Sequence, residues 1–170
     1  AVDRALANAQ WPARLQRLAM ADLGIVGDDR PVWLDGAHNP EGIQVLMQAW
    51  TDLVGDQACD MIFGVMGNKD LAGVIVHLKP AVEAGRIARI IAVPVPDTPN
   101  GLPAEDLAEA LQVGLPKSLA VETATGVPQA LSMVQAGEHR PLLIAGSLYL
   151  AGSVLAQAEN AQKRLPLIGV

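Results

Sequence analysis

The sequence predicts an α/β domain built on a doubly wound, mainly parallel sheet of about six strands with helices on both faces. Three observations lead there. Short β-branched apolar runs alternate with longer stretches of helical periodicity, and Gly, Pro, Asn and Asp punctuate each change. Hydrophobic residues make up 51% of the chain but aromatic residues only 3%. The core is therefore expected to be Ala, Val, Leu and Ile, the usual filling of strands covered on both faces. The 170 residues are enough for one domain with a substantial core.

Taken in order, residues 1–10 are Ala-rich with no clear end signal and read as a linker remnant, leaving 11–170 as the domain. Trp11-Pro12-Ala13-Arg14-Leu15-Gln16 opens an extended segment, read as a strand pair reaching about Leu23. Residues 31–34 form the first clear strand. The spacing of Ile43, Leu46, Met47, Trp50 and Leu53 predicts a helix over 40–54, with Asn39 as its cap, Pro40 in the first position and Glu41 in the first turn. A second strand is expected over 58–65. Next come a helix over 70–78 ended by Pro80 and a β-branched strand over 86–95. A turn-rich loop over 97–102 leads to a helix over 103–113, whose Glu105 and Asp106 suit its N-terminal dipole. A short strand over 119–123 precedes a helix marked by Val127, Ala130, Leu131 and Val134 and closed by Gly137. The last strand covers 141–145. Ser147 then caps a helix carrying Ala151, Val154, Leu155 and Ala158, and the tail from Glu159 shows no clear pattern.

The segment Trp33-Leu34-Asp35-Gly36-Ala37-His38-Asn39-Pro40 is the most informative. It sets a carboxylate, an imidazole and a carboxamide between a strand end and a helix start, where open α/β sheets bind ligands. Capping accounts for Asn39 and Pro40 but leaves Asp35 and His38 without a task. Parallel strands end on a common edge. Residues 35–39, 64–70, 96–98 and 146–147 are therefore expected as neighbours, gathering Asp35, Asp70, His38, Lys69 and the Ser147 hydroxyl at a site for a charged ligand.

Several function classes are disfavoured. A net charge of -6 with no Lys/Arg cluster argues against nucleic acid and anionic membrane as partners. No apolar run reaches the length of a membrane span and no secretory leader opens the chain, so a soluble, cytoplasmic protein is expected. The three histidines are scattered and Cys59 stands alone in an apolar run, so no metal site is assigned. There is no G-x-x-x-x-G-K-[ST] loop, no G-x-G-x-x-G after the first strand, and no G-x-S-x-G around Ser147.

Four segments occur in order on the predicted strand ends: Trp11 to Gln16, Leu34 to Pro40, Gly64-Val65-Met66-Gly67-Asn68-Lys69-Asp70, and Gly146-Ser147-Leu148-Tyr149-Leu150. Together they resemble the C-terminal domain of the folylpolyglutamate synthase/dihydrofolate synthase branch of the Mur ligase superfamily. The resemblance implies a Rossmann-like domain of an enzyme that adds L-glutamate to dihydropteroate or a tetrahydrofolate. ATP first phosphorylates the acceptor carboxylate, and the glutamate amine then attacks the acyl phosphate. It also implies partnership with an N-terminal ATPase domain carrying the phosphate loop and the Mg²⁺ ligands, so that residues 1–170 alone are expected to be inactive.

Carried over motif by motif, Arg14 would reach the ATP phosphates, and Asp35 the ribose or the region near the phosphates. His38 and Ser147 would lie near glutamate, with His38 binding its carboxylate or orienting its amine as the catalytic imidazole. Two positions depart from the family pattern: Ala13 stands where Gly is usual and Asn68 where Asp is common. The competing structural readings are an edge-strand charge for Arg14, helix capping for Asp35 and Ser147, and a turn hydrogen bond for His38. Within the superfamily the alternative is a peptidoglycan-precursor Mur ligase. Outside it, the alternative is a stand-alone nucleotide-binding module.

Overall fold

The computed structural model describes residues 14–164; the expectations for the linker remnant and for Trp11 to Ala13 lie outside these. Six strands form one sheet: β1 (Gln16–Ala19), β2 (Pro31–Leu34), β3 (Cys59–Phe63), β4 (Ile87–Ala92), β5 (Ala120–Thr123) and β6 (Leu142–Ala145). Their order across the sheet is β1-β2-β6-β3-β4-β5. All neighbouring strands run parallel except β1, which pairs antiparallel with β2 and sets Gln16 opposite Leu34. Five α-helices follow: α1 (Pro40–Val54), α2 (Leu71–Glu83), α3 (Ala104–Gly114), α4 (Val127–Ala136) and α5 (Leu148–Arg164). This is the doubly wound α/β architecture expected from the alternation.

The period-two alternation of each strand splits the core into two layers. Met61, Phe63, Ile90 and Leu143 face α1, α2 and α3, where they meet Ile43, Trp50, Leu78 and Leu107. Ile62, Ile91 and Ile144 face α4 and α5, where they meet Leu131, Val134, Leu150 and Val154. On α1 the predicted stripe is buried from Ile43 to Trp50, but Leu53 is exposed. Strand β6 lies between β2 and β3 yet leads into a helix on the opposite layer from theirs. The chain thus diverges above β6, and such a divergence opens a crevice at the C-terminal edge of the strands.

Three elements differ from expectation. The first segment does not stay extended to Leu23. It closes after Ala19 into a 3-10 helix, Met20–Leu23, because Met20 and Leu23 both reach the core and Asp22 Oδ2 accepts from the Ala19 N–H at 2.8 Å. Helix α2 does not end at Pro80 but continues to Glu83. Pro80 is exposed, so the Val76 carbonyl it leaves without a helical donor lies on the solvent side, while Leu78, Ala81 and Val82 hold the turn on the core. Helix α5 runs through the tail to Arg164.

A charged cluster at the opposite, N-terminal edge went unrecognised in the sequence. Asp60 is fully buried, and its oxygens accept from Arg89 Nη2 at 2.5 Å and Arg140 Nη1 at 3.1 Å. Paired in this way, the carboxylate can occupy an otherwise apolar strand.

Candidate functional site

The turn after β2 is built from local hydrogen bonds. The Asp35 N–H donates to the Ile144 carbonyl of β6 at 2.9 Å, so its backbone still belongs to the sheet. Its Oδ1 accepts from the Ala37 N–H at 2.8 Å, which folds the chain into a tight Asx turn. Its Oδ2 accepts from the Leu15 N–H at 2.8 Å, which ties the turn to the start of β1. Burial pushes the Asp35 carboxyl above its ordinary value, against the pull of these two amides and of the Arg14 charge.

His38 Nδ1 lies 2.8 Å from the Gly36 carbonyl oxygen. A carbonyl can only accept, so Nδ1 donates, and in the neutral ring Nε2 keeps its lone pair. Asn39 Oδ1 accepts from the Gly42 N–H at 2.8 Å, and Pro40 opens α1, as the spacing predicts. Gly42 lets this cap close, since a Cβ there would stand 2.7 Å from Asn39 Oδ1.

These groups border a cleft of about 610 Å³. It is lined by Arg14 and Leu15 ahead of β1, by Asp35 to Asn39 of the turn, by Glu41, Val45 and Ala49 of α1, and by Leu148 at the start of α5. Arg14, Asp35 and His38 are thus brought together. Ser147 is not among the lining residues. It is 1% exposed, and its Oγ accepts from the N–H groups of Tyr149 at 3.1 Å and Leu150 at 3.4 Å, which makes it the N-cap of α5. Its neighbour Leu148 reaches the cleft instead.

Lys69 and Asp70 also stand outside the lining. Asp70 Oδ1 caps α2 by accepting from the Gly73 N–H at 2.9 Å. The loop after β3 is bound to the loop after β4 through Gly67 N–H to the Asn100 carbonyl and Leu102 N–H to the Val65 carbonyl. The edge expected to hold all four loops therefore divides, with the chemistry on the β2 side. Of two apolar residues that border the cleft, Val45 escaped notice in the sequence and Leu148 was read only as part of a motif. Each is more than half exposed, and Val45 falls off the apolar stripe of its helix, which was the available signal. A larger groove, about 710 Å³, runs between α2 and α3. Its lining is mostly apolar and includes none of the turn residues, so size alone does not mark the site.

Residues 14–148 match the family described as Mur ligase, glutamate ligase domain. The chain belongs to this family. The match starts at Arg14, the first residue of the cleft. Among curated relatives, the folylpolyglutamate synthase of Lacticaseibacillus casei is 35% identical over 153 residues, covering 90% of this chain and 31% of that protein. The dihydrofolate synthase/folylpolyglutamate synthase of Bacillus subtilis is 27% identical over 156 residues, covering 91% and 32%. Among solved structures, the Mycobacterium tuberculosis folylpolyglutamate synthase complexed with ADP and AMPPCP superposes with a TM-score of 0.70 at 25% identity, over 89% of this chain and 33% of that one. The glutamate ligase domain described here thus spans about a third of the length of its curated relatives. No helix of the described residues is long and apolar enough to cross a membrane.

Proposed function

We propose that this chain is the glutamate ligase domain of a cytoplasmic, ATP-dependent ligase that adds L-glutamate to dihydropteroate, to a tetrahydrofolate, or to both. The observation that carries the reading is the convergence of Arg14, Asp35 and His38 on one cleft, in a chain 35% identical to a folylpolyglutamate synthase.

The reaction has two steps. The acceptor carboxylate takes the γ-phosphoryl group of ATP, forming an acyl phosphate and releasing ADP. The glutamate amine then attacks the acyl carbon, the C–O bond to phosphate breaks, and the nitrogen loses a proton as the amide forms. Arg14, exposed beside the cleft with its planar donor fork, suits the phosphoryl oxygens and the charge that builds on them. Asp35 lines the same cleft. In its neutral form His38 has Nε2 free to take up a proton or orient the amine, because Nδ1 is committed to Gly36. Ser147 contributes by fixing the start of α5, whose Leu148 borders the cleft where glutamate would bind. Mg²⁺ accompanies ATP in such chemistry. The family resemblance puts its ligands on the ATPase domain that would partner this one.

The test is ATP-dependent incorporation of labelled glutamate by the full-length protein, with dihydropteroate and a reduced folate offered separately and residues 1–170 alone as control. Incorporation by the full-length protein and not by the control supports the proposal, and the preferred acceptor names the activity. No incorporation with either acceptor refutes it.

A further inference from the structure

Both oxygens of the Asp35 carboxylate already serve the protein: Oδ1 holds the Ala37 amide and Oδ2 the Leu15 amide, each at 2.8 Å. The second bond joins residues 20 apart in sequence. It forms because β1 runs antiparallel to β2. With Gln16 opposite Leu34, the residue before one strand meets the residue after the other.

The turn it holds is strained. Leu15 has φ +41, a left-handed conformation that a branched side chain adopts only when its surroundings impose it. Two contacts impose it here. The Leu15 side chain packs against the core under α1, and its amide is clasped by Asp35, whose own backbone is anchored to β6. Arg14 is the next residue out, and the direction in which its side chain leaves the chain depends on this turn.

We infer that Asp35 is a positioning residue that acts through Arg14: its carboxylate clasps the Leu15 amide and so aims the Arg14 guanidinium across the cleft at the phosphoryl groups. The inference rests on the ligase reading above and assigns Asp35 a different task from direct contact with the nucleotide. Preorganisation of this kind matters because an exposed arginine on a free segment spends most of its time elsewhere, and small misplacements of a charge-stabilising group cost rate.

A double-mutant cycle in the full-length protein tests it. Asp35→Asn is isosteric. Its carbonyl oxygen can keep the Ala37 turn, but its amide group cannot accept from Leu15. Loss of Arg14 is expected to lower kcat/KM for ATP by about 100-fold and Asp35→Asn by about 10-fold. The double variant is expected to match Arg14→Ala alone. Asp35→Ser, which keeps only a short-range turn to residue 37, stands in if the Asn variant does not fold.

Amide hydrogen exchange gives a second readout independent of turnover. The Leu15 N–H exchanges faster in Asp35→Asn, while Ile62 and Ile144 in the sheet remain protected. Losses that multiply in the double variant overturn the inference, since Asp35 would then act on the ligand by itself. So does unchanged exchange at Leu15. A full-length protein that ligates no glutamate refutes the ligase reading separately, and the clasp is then decided by the exchange of Leu15.

Discussion

Gly146, the last residue before the cap of α5, provides a stringent test of the packing at the site edge. Its φ is +112, and a Cβ there would fall on the Gly64 carbonyl oxygen and within 2.8 and 3.0 Å of two atoms of the Phe63 ring. The φ strain costs about 1–3 kcal/mol and the overlap, against a backbone oxygen that cannot turn aside, about 1–3 more. Gly146→Ala should therefore destabilise by about 4 kcal/mol, a fall of roughly 2 M in the urea midpoint. Three companion variants separate the terms. Gly64→Ala tests contact without a left-handed φ, since its Cβ would stand 2.7 Å from the Val93 carbonyl oxygen, and should cost about 1–3 kcal/mol. Gly24→Ala tests φ alone, at +83 with open space around it, and should cost about 1–2 kcal/mol. Gly152→Ala meets nothing within 4 Å inside α5 and should stabilise by about 0.5–1 kcal/mol. Urea unfolding followed by circular dichroism measures all four. A Gly146→Ala protein no less stable than Gly24→Ala would refute the contact argument, and a destabilised Gly152→Ala protein would refute the reading of α5.

Two further outcomes follow from buried titrating groups. Burial, aided by the neighbouring Asp60 charge, pushes the Cys59 thiol up to about 12. The native protein should then react with a thiol reagent at neutral pH only as fast as it unfolds, while the denatured chain yields its single thiol at once; rapid labelling of the native protein would contradict the packing around β3. Burial raises the Asp28 carboxyl, but hydrogen bonds and charge from the buried Arg30, at 2.8 and 2.9 Å, outweigh it and hold the group below the ordinary aspartate value. A depressed carboxyl stabilises the fold above its unfolded value and loses that contribution as pH falls through its folded value. The melting-temperature advantage of the native protein over Asp28→Asn should thus be full at neutral pH and shrink only in strongly acidic solution. An advantage that does not change with pH would show that the Asp28–Arg30 pair adds no charge-dependent stability.

What the sequence alone determined is what short-range chemistry controls. Asn39 and Asp70 cap their helices because a side-chain oxygen needs only an amide three residues on. Strands and helices alternate as read because burial on both faces demands unbroken apolar runs, and β3, buried at every position, is the clearest instance. Where neighbours in sequence stopped being neighbours in space, the reading failed. Pro80 breaks a local rule, but packing of Ala81 and Val82 overrides it. Asp60 looks out of place in an apolar run until Arg89 and Arg140 arrive from 29 and 80 residues away.

Ser147 and His38 look equally available in sequence, yet the Gly146 backbone turns one into a buried cap while the Asx turn leaves the other beside the cleft. The insertion of β6 between β2 and β3 and the antiparallel seat of β1 were settled only in three dimensions. The alternation of strand and helix implies parallel pairing, but the order of the strands and the reversed direction of β1 come from pairing energies between distant segments, which no local pattern encodes. That pairing alone brings the Leu15 amide to Asp35 and Arg14 to the cleft.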